Sequence, residues 1–313
     1  MKKILLTGGT GYVGSLLTTK LLDEGYKVKV LDNLMYNQTN HLPHLINKNF
    51  EFVWGDIRDK STVKKVIKDA DIILHLAAIV GVPACNRDPK LAEQTNIIGA
   101  RNINLLRNKK QPLIYASTGS NYGKLDEICT EKSPLNPVSL YGKTKSQAEK
   151  EIMEKGNSVA LRFATGFGVS PRFRFDSLLI NDFVYQAHKN KYLVLYERKA
   201  KRTFIHVKDM VDSYIFTLDN LDKMLNEIYN VGSEKMNFTK EEIAVKIKEK
   251  MKNINLFFGE IGEDEDKRDY EVSYEKIRKV GFETKISLED GIEELVKAFQ
   301  NLPFKESQTI NTM

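Results

Sequence analysis

The feature that most constrains this chain is a glycine-spaced turn near its start. Lys2-Lys3-Ile4-Leu5-Leu6-Thr7 runs straight into Gly8-Gly9-Thr10-Gly11-Tyr12-Val13-Gly14, and Ser15 to Leu22 then carries apolar residues at helical spacing. Gly25 closes that helix, and Tyr26 to Leu31 is a second strand ending in Asp32. Strand, turn, helix and strand in this order give each glycine a task. Gly8 permits a tight turn, Gly11 lets backbone N–H groups approach a pyrophosphate, and Gly14 allows close packing of helix on strand. The helix start offers unsatisfied N–H donors and a partial positive charge to phosphates. Asp32 is placed to accept hydrogen bonds from the ribose hydroxyls of NAD and to repel a 2′-phosphate. The motif with this context predicts a dinucleotide site for NAD.

Strand and helix patterns continue to alternate. Strands are predicted over 50–55, 71–78, 112–118 and 158–164, with helices over 61–69, 91–107 and 139–155. This rhythm predicts an α/β fold, a doubly wound parallel (Rossmann) sheet. Asp56-Ile57, after the third strand, faces the ligand crevice, where an acid suits the adenine amino group. Leu76-Ala77-Ala78 puts small residues at the fourth strand's tip, where a cofactor passes closely. Beyond Thr165 the rhythm changes. The expectation is a loop over 166–175, helices over 176–189, 239–252 and 288–299, and short strands over 192–196 and 202–207. The resulting organisation is a dinucleotide-binding domain of residues 1–165 with about 203–232. A smaller, discontinuous C-terminal substrate lobe comprises about 166–202 and 233–304, followed by a tail.

Composition narrows the partners. The net charge is +6, but lysines alternate with acids, as in Lys246-Ile247-Lys248-Glu249-Lys250, which marks a solvated face and not a nucleic-acid stripe. There is no run of eighteen apolar residues to span a membrane, and the chain enters a strand too early for a signal peptide. Cys85 and Cys129 make no disulfide framework, so a cytoplasmic protein is expected. His41 and His44 lack acidic or cysteine companions at metal spacing, and no metal site is expected. His206 reads as a packed strand histidine.

Tyr141 and Lys145 lie four apart on the predicted 139–155 helix and project from one face. An ammonium beside a phenol favours the phenolate, giving a base for a hydroxyl proton. The pair follows the fifth strand, whose tip carries Ser117-Thr118, a hydroxyl source for the same substrate oxygen.

Together, Gly8-x-x-Gly11-x-x-Gly14, Asp56-Ile57, Leu76-Ala77-Ala78, Ser117-Thr118, Tyr122-Gly123 and Tyr141-x-x-x-Lys145 resemble the extended short-chain dehydrogenase/reductase family. More narrowly, they resemble its NAD-dependent nucleotide-sugar epimerases and dehydratases. The likeness continues through Arg202-x-Phe204-Ile205-His206-Val207 and Lys267-Arg268-Asp269. It implies Tyr141 as base, Lys145 as its support and Thr118 as hydroxyl donor. It implies cofactor contacts from Gly8, Gly11, Tyr12, Val13, Gly14, Asp32, Asn33, Asp56, Ile57, Leu76, Ala77, Ala78, Asn96 and Ser117. Arg202 and Arg268 would grip the nucleotide diphosphate, with Thr165 and Asn181 also against the substrate. A homodimer through the helices near 91–107 and 139–155 is implied too.

Two departures carry weight. The 4,6-dehydratases of this family follow the threonine with Asp-Glu, which eliminate water; here Gly119-Ser120 follows Thr118. Thr165 stands where many relatives place asparagine. The stretch Gly168-Val169-Ser170-Pro171-Arg172-Phe173-Arg174-Phe175-Asp176, with Asn181-Asp182-Phe183, resembles a bacterial branch acting on nucleotide sugars of surface polysaccharides, around GDP-heptose 4-oxidation. The expected reaction is hydride removal at C4 of a nucleotide sugar to give a 4-keto sugar, by a dehydrogenase or a 4-epimerase. A 4,6-dehydratase, a 4-keto reductase and a non-catalytic dinucleotide-binding regulator are the alternatives.

Overall fold

The computed structural model describes residues 1–125, 127–175, 177–259 and 269–301. Strands β1 (Lys3–Thr7), β2 (Lys27–Asp32), β3 (Phe50–Trp54), β4 (Ile72–His75), β5 (Leu113–Thr118) and β6 (Ser158–Phe163) form the central sheet with a later strand, β10 (Glu227–Val231). The order is β10-β6-β5-β4-β1-β2-β3, and every pairing is parallel. Strands buried on both faces read as unbroken apolar runs, and Ile4, Leu5 and Leu6 of β1 are each 1% exposed or less. One core packs Leu17, Leu21 and Tyr214 against one side of the sheet; the other packs Val63, Ile103 and Ile152 against the opposite side. The α/β doubly wound architecture expected from the alternation is therefore the one observed.

Strand order reverses between β1 and β4, so the connections from these two strands leave toward opposite sides and open a crevice at their carboxyl ends. The helix Tyr12–Asp23 starts in that crevice, and the helix Leu140–Lys155 borders it. Ser139 caps the latter by accepting from the N–H of Gly142, and Gly156, at φ +73°, ends it.

The remaining strands build the lobe over the crevice. Strands β7 (Thr165–Phe167), β9 (Lys201–His206) and β11 (Asn237–Thr239) form one small sheet; β8 (Tyr192–Leu195) pairs in parallel with β12 (Asn255–Phe258). Helices Leu179–Asn190, Lys240–Lys250 and Leu288–Asn301 enclose a core of Phe167, Val184, Phe204, Ile243, Ile292 and Phe299. Several details differ from the sequence reading. Residues 165–167 form a strand at the start of the expected loop, too short to show a period. The sequence pattern does not mark β10, β11 or β12, nor the short helices Val82–Arg87 and Glu275–Val280, although β10 lies in the span assigned to the sheet domain. The helix expected over 91–107 is broken into Pro89–Glu93, a π-turn over Gln94–Gly99 and Ala100–Leu106.

Candidate active site

A cavity of about 580 Å³ lies at the carboxyl ends of the central strands, between the sheet and the lobe. Its floor is the glycine turn. Gly8 takes φ +74°, and a Cβ there would sit 2.8 Å from the backbone of Ala77. A Cβ on Gly14 would lie 2.0 Å from the Gly8 carbonyl oxygen. Both positions exclude side chains by sterics, and the backbone lies open to the cavity. The helix starting at Tyr12 has neither a side-chain cap nor an acid in its first turn, so its N–H groups and dipole remain for an anion.

Asp32, 8% exposed, lines the cavity at the end of β2. Its carboxylate accepts from the N–H of Thr10 at 3.1 Å and of Leu34 at 3.0 Å, and Gln38 Nε2 reaches it at 3.4 Å while donating to Thr10 Oγ1 at 2.8 Å. Asn33 Nδ2 donates to Asp56 at 3.1 Å, joining the two acids at the tips of neighbouring strands. Burial acts to raise the Asp56 carboxyl, but hydrogen bonds from Arg58 and Asn33 outweigh it and hold the group below its ordinary range. Gly8, Gly11, Tyr12, Val13, Gly14, Asp32, Asn33, Asp56, Ile57, Leu76, Ala77, Ala78 and Ser117 all line this cavity. A cradle that no Cβ fits, a bare helix start and a fixed carboxylate on β2 suit a dinucleotide with free ribose hydroxyls.

Tyr141, Lys145, Ser117 and Thr118 line the same cavity. Lys145 is 3% exposed, and its Nζ lies 4.1 Å from the centre of the Tyr115 ring. Burial pushes the Lys145 ammonium down to about 7, against the opposing pull of Glu149 one turn along the helix. His75, behind it in β4, is bonded to Thr7 Oγ1 at 2.7 Å, and burial drives it down to about 3, so it is neutral. Thr118 Oγ1 lies 3.1 Å from Ser120 Oγ, and Ser120 also lines the cavity.

The lobe supplies positive charge. Arg202 of β9 is 2% exposed and reaches the cavity wall, with Nη1 bonded to the Lys201 carbonyl at 3.0 Å. Arg172 and Arg174 line the wall as well. The Arg172 guanidinium lies 4.9 Å from the Tyr36 ring centre, and Arg174 donates to Ser177 and to the Val80 carbonyl. Thr165 also lines the cavity.

Two expected contacts are elsewhere. Asn96, in the π-turn, spends its amide on the Ile79 N–H and carbonyl and on Thr144 Oγ1; it ties the strand-four loop to the Leu140–Lys155 helix, away from the cavity. Asn181 is fully buried and bonds the Gly168 N–H, the Gly168 carbonyl and the Arg174 carbonyl, so it braces the loop that carries the arginines and does not itself line the cavity. Arg268 lies outside the described residues. Ser120, Arg172, Arg174 and Tyr36 carried no role in the sequence reading. The two arginines stood in a stretch already singled out, and their alternation, with one residue between them, was the available signal. His206 is a packed residue, bonded to Glu294 at 2.9 Å and capping the next helix by accepting from the Lys208 N–H. Among the described residues no cluster of three or more His, Cys, Asp or Glu is placed to hold a metal, and no helix is long and apolar enough to cross a membrane.

The profile of the NAD dependent epimerase/dehydratase family matches residues 4–232, most of the chain and every residue lining the cavity just described. The chain belongs to the NAD dependent epimerase/dehydratase family. Among its relatives, UDP-glucose 4-epimerase 2 of Arabidopsis thaliana is 28% identical over 336 residues, covering 96% of this chain and 94% of the relative. CDP-paratose 2-epimerase of Salmonella typhi is 26% identical over 332 residues, covering 94% and 98%. The solved structure of Thermus thermophilus UDP-glucose 4-epimerase in complex with NAD superposes with a TM-score of 0.81 at 25% identity, covering 96% of this chain and 99% of that one. As a member of this family the protein is an enzyme that uses NAD, and the glycine turn with Asp32 is where this chain would hold it.

Proposed function

We propose that this family member oxidises a nucleotide-activated sugar at C4, with Tyr141 as the base. The observation that carries the reading is the convergence of Tyr141, Lys145 and Thr118 in the same cavity as the glycine turn and Asp32. NAD, when bound, supplies the hydride acceptor. Tyr141 takes the proton of the sugar hydroxyl, Lys145 favours its phenolate, and Thr118 with Ser120 holds the same oxygen. Arg202, Arg172 and Arg174 give the lobe side of the cavity a positive wall suited to a diphosphate. Gly119-Ser120 supplies neither the acid nor the carboxylate base of water elimination, which favours a 4-epimerase or 4-dehydrogenase over a 4,6-dehydratase.

The relatives named above act on UDP-glucose and CDP-paratose, and a UDP-sugar is the first substrate to try. The Gly168–Asp176 stretch is the ground for adding a GDP-linked heptose of surface-polysaccharide synthesis. The NAD-loaded protein is incubated with UDP-glucose, UDP-glucuronic acid, GDP-mannose and a GDP-heptose, and the products are identified by NMR. A C4 epimer or 4-keto sugar made by the wild type and lost in Tyr141→Phe supports the reading. Oxidation at another carbon, or wild-type turnover in Tyr141→Phe, refutes it.

We further propose a cytoplasmic homodimer. Ile98 of the π-turn and Leu105 of the Ala100–Leu106 helix are 40% and 61% exposed, and between them in sequence Arg101 pairs with Glu151 of the Leu140–Lys155 helix.

A further inference from the structure

Behind the reactive pair lies a buried ionic cluster that the mechanism above does not use. Glu149 stands one helical turn beyond Lys145 and two beyond Tyr141, and is 2% exposed. Its carboxylate accepts from Ser117 Oγ at 2.5 Å, from Asn121 Nδ2 at 3.3 Å, and from the guanidinium of Arg162 in β6, with Nη2 at 2.6 Å and Nε at 3.0 Å. Arg162, itself 4% exposed, extends the cluster to Tyr122 Oη at 3.0 Å, which in turn donates to Asn230 of β10 at 2.7 Å.

We propose that Glu149 is a positioning residue of the active site, clamping the Tyr141–Lys145 helix to the hydroxyl-bearing tip of β5 through Ser117, with Arg162 as its buried counter-ion. The proposal rests on the reading of Tyr141 and Lys145 as the reactive pair. A buried ion pair is a poor way to gain stability, because desolvating both charges offsets their attraction and apolar residues of similar volume do as well. What such a pair does provide is fixed geometry: a carboxylate with four donors holds a helix, a strand tip and a second strand at set distances. Ser117 precedes Thr118, so the clamp sets where the Thr118 hydroxyl stands relative to Tyr141.

The clamp also bears on charge. Lys145 faces His75 from β4, the Tyr115 ring from β5, Cys85 from the Val82–Arg87 helix and Glu149 from its own helix, with Tyr141 one turn before it. His75 is neutral and burial pushes the Cys85 thiol up to about 11, so Glu149 is the nearby anion that favours the Lys145 ammonium.

The test uses the full-length, NAD-loaded protein as wild type, Glu149→Gln, Glu149→Asp and the apolar double variant Glu149→Met/Arg162→Met. One readout needs no sugar. In carbon-13 lysine-labelled protein, the Lys145 Cε resonance, assigned with Lys145→Met, is titrated by NMR. Glu149→Gln is expected to lower the Lys145 midpoint by about one pH unit, because the ammonium loses its anion, while Glu149→Asp restores it. The second readout is turnover of UDP-glucose and UDP-glucuronic acid. Glu149→Gln is expected to lower kcat by roughly 10–100-fold with little change in KM, and to move the alkaline limb of the kcat profile to lower pH. The double variant keeps a wild-type melting temperature and still loses kcat, separating positioning from folding. An unchanged Lys145 titration in Glu149→Gln, or full kcat in the folded double variant, overturns the proposal. Tyr141→Phe runs beside these: its failure to lose turnover sinks the base assignment, whereas the Lys145 titration judges the clamp independently.

Discussion

The carboxylate of Asp32 is fixed by two backbone N–H groups and Gln38 before any ligand arrives, so its charge stands ready at the end of β2. That arrangement predicts cofactor choice. Asp32→Ala should lower affinity for NAD about tenfold or more, the worth of a lost charge-assisted hydrogen bond, and narrow its preference over NADP. Titration calorimetry with both dinucleotides checks it. Tyr141→Phe removes one oxygen and should cut turnover by roughly 10²–10⁴-fold while NAD affinity stays near that of the wild type, read by steady-state rates beside the same calorimetry. Tyr141, Lys145, Thr118 and Asp32 could be placed on their elements from the sequence because each lies in, or at the end of, an element whose pattern is plain. Asn96 and Asn181 were misread because a polar residue near a site looks the same in sequence whether it meets ligand or backbone. Their partners, Ile79, Thr144, Gly168 and Arg174, are fixed only by tertiary packing.

At the scale of elements, the strand–turn–helix unit works because three glycines let backbone meet backbone. Gly14→Ala places a methyl 2.0 Å from the Gly8 carbonyl oxygen, inside any tolerated contact. The expected result is a destabilisation of roughly 1–3 kcal/mol, and a melting temperature that no longer rises when NAD is added. Thermal melts with and without NAD report both. Most strands of the central sheet were readable from short stretches rich in apolar and β-branched residues bounded by turn residues. β7, of three residues, and β10, whose burial runs from an exposed Glu227 to a buried Val231, offer no such run. The π-turn at Gln94–Gly99 is likewise invisible to a helical pattern, which shows only that apolar residues recur.

Across the whole molecule, the lobe is fastened to the very helix that starts the cofactor cradle. Tyr12 Oη donates to the Gly168 carbonyl at 2.7 Å, Ser170 Oγ donates to the Tyr12 carbonyl at 2.5 Å, and Glu294 accepts from the Val169 N–H at 3.0 Å and pairs with His206 and Lys208. Burial acts to raise Glu294, but the bonds from His206, Lys208 and Val169 win and hold it at about 2. A carboxyl depressed on folding stabilises above its ordinary pKa and loses that contribution as pH falls through the folded value. Glu294→Gln should therefore cost roughly 1–3 kcal/mol near pH 7, with the two stability curves converging as pH falls from about 4.5 toward 2, as urea unfolding across pH will show. Leu105, exposed on the Ala100–Leu106 helix, is the place to test the proposed dimer: Leu105→Asp should convert it to monomer in sedimentation velocity. In the proposed reaction the glycine turn would hold NAD while Tyr141 takes the proton of a sugar hydroxyl in the same cavity. Its most direct test is a stopped-flow mix of NAD-loaded protein with excess substrate from the sugar-nucleotide panel, following the absorbance of enzyme-bound reduced nicotinamide. The account predicts a rise within one turnover for the wild type and its loss in Tyr141→Phe; an equal rise in both, or product formed with no reduced nicotinamide at any time, contradicts it.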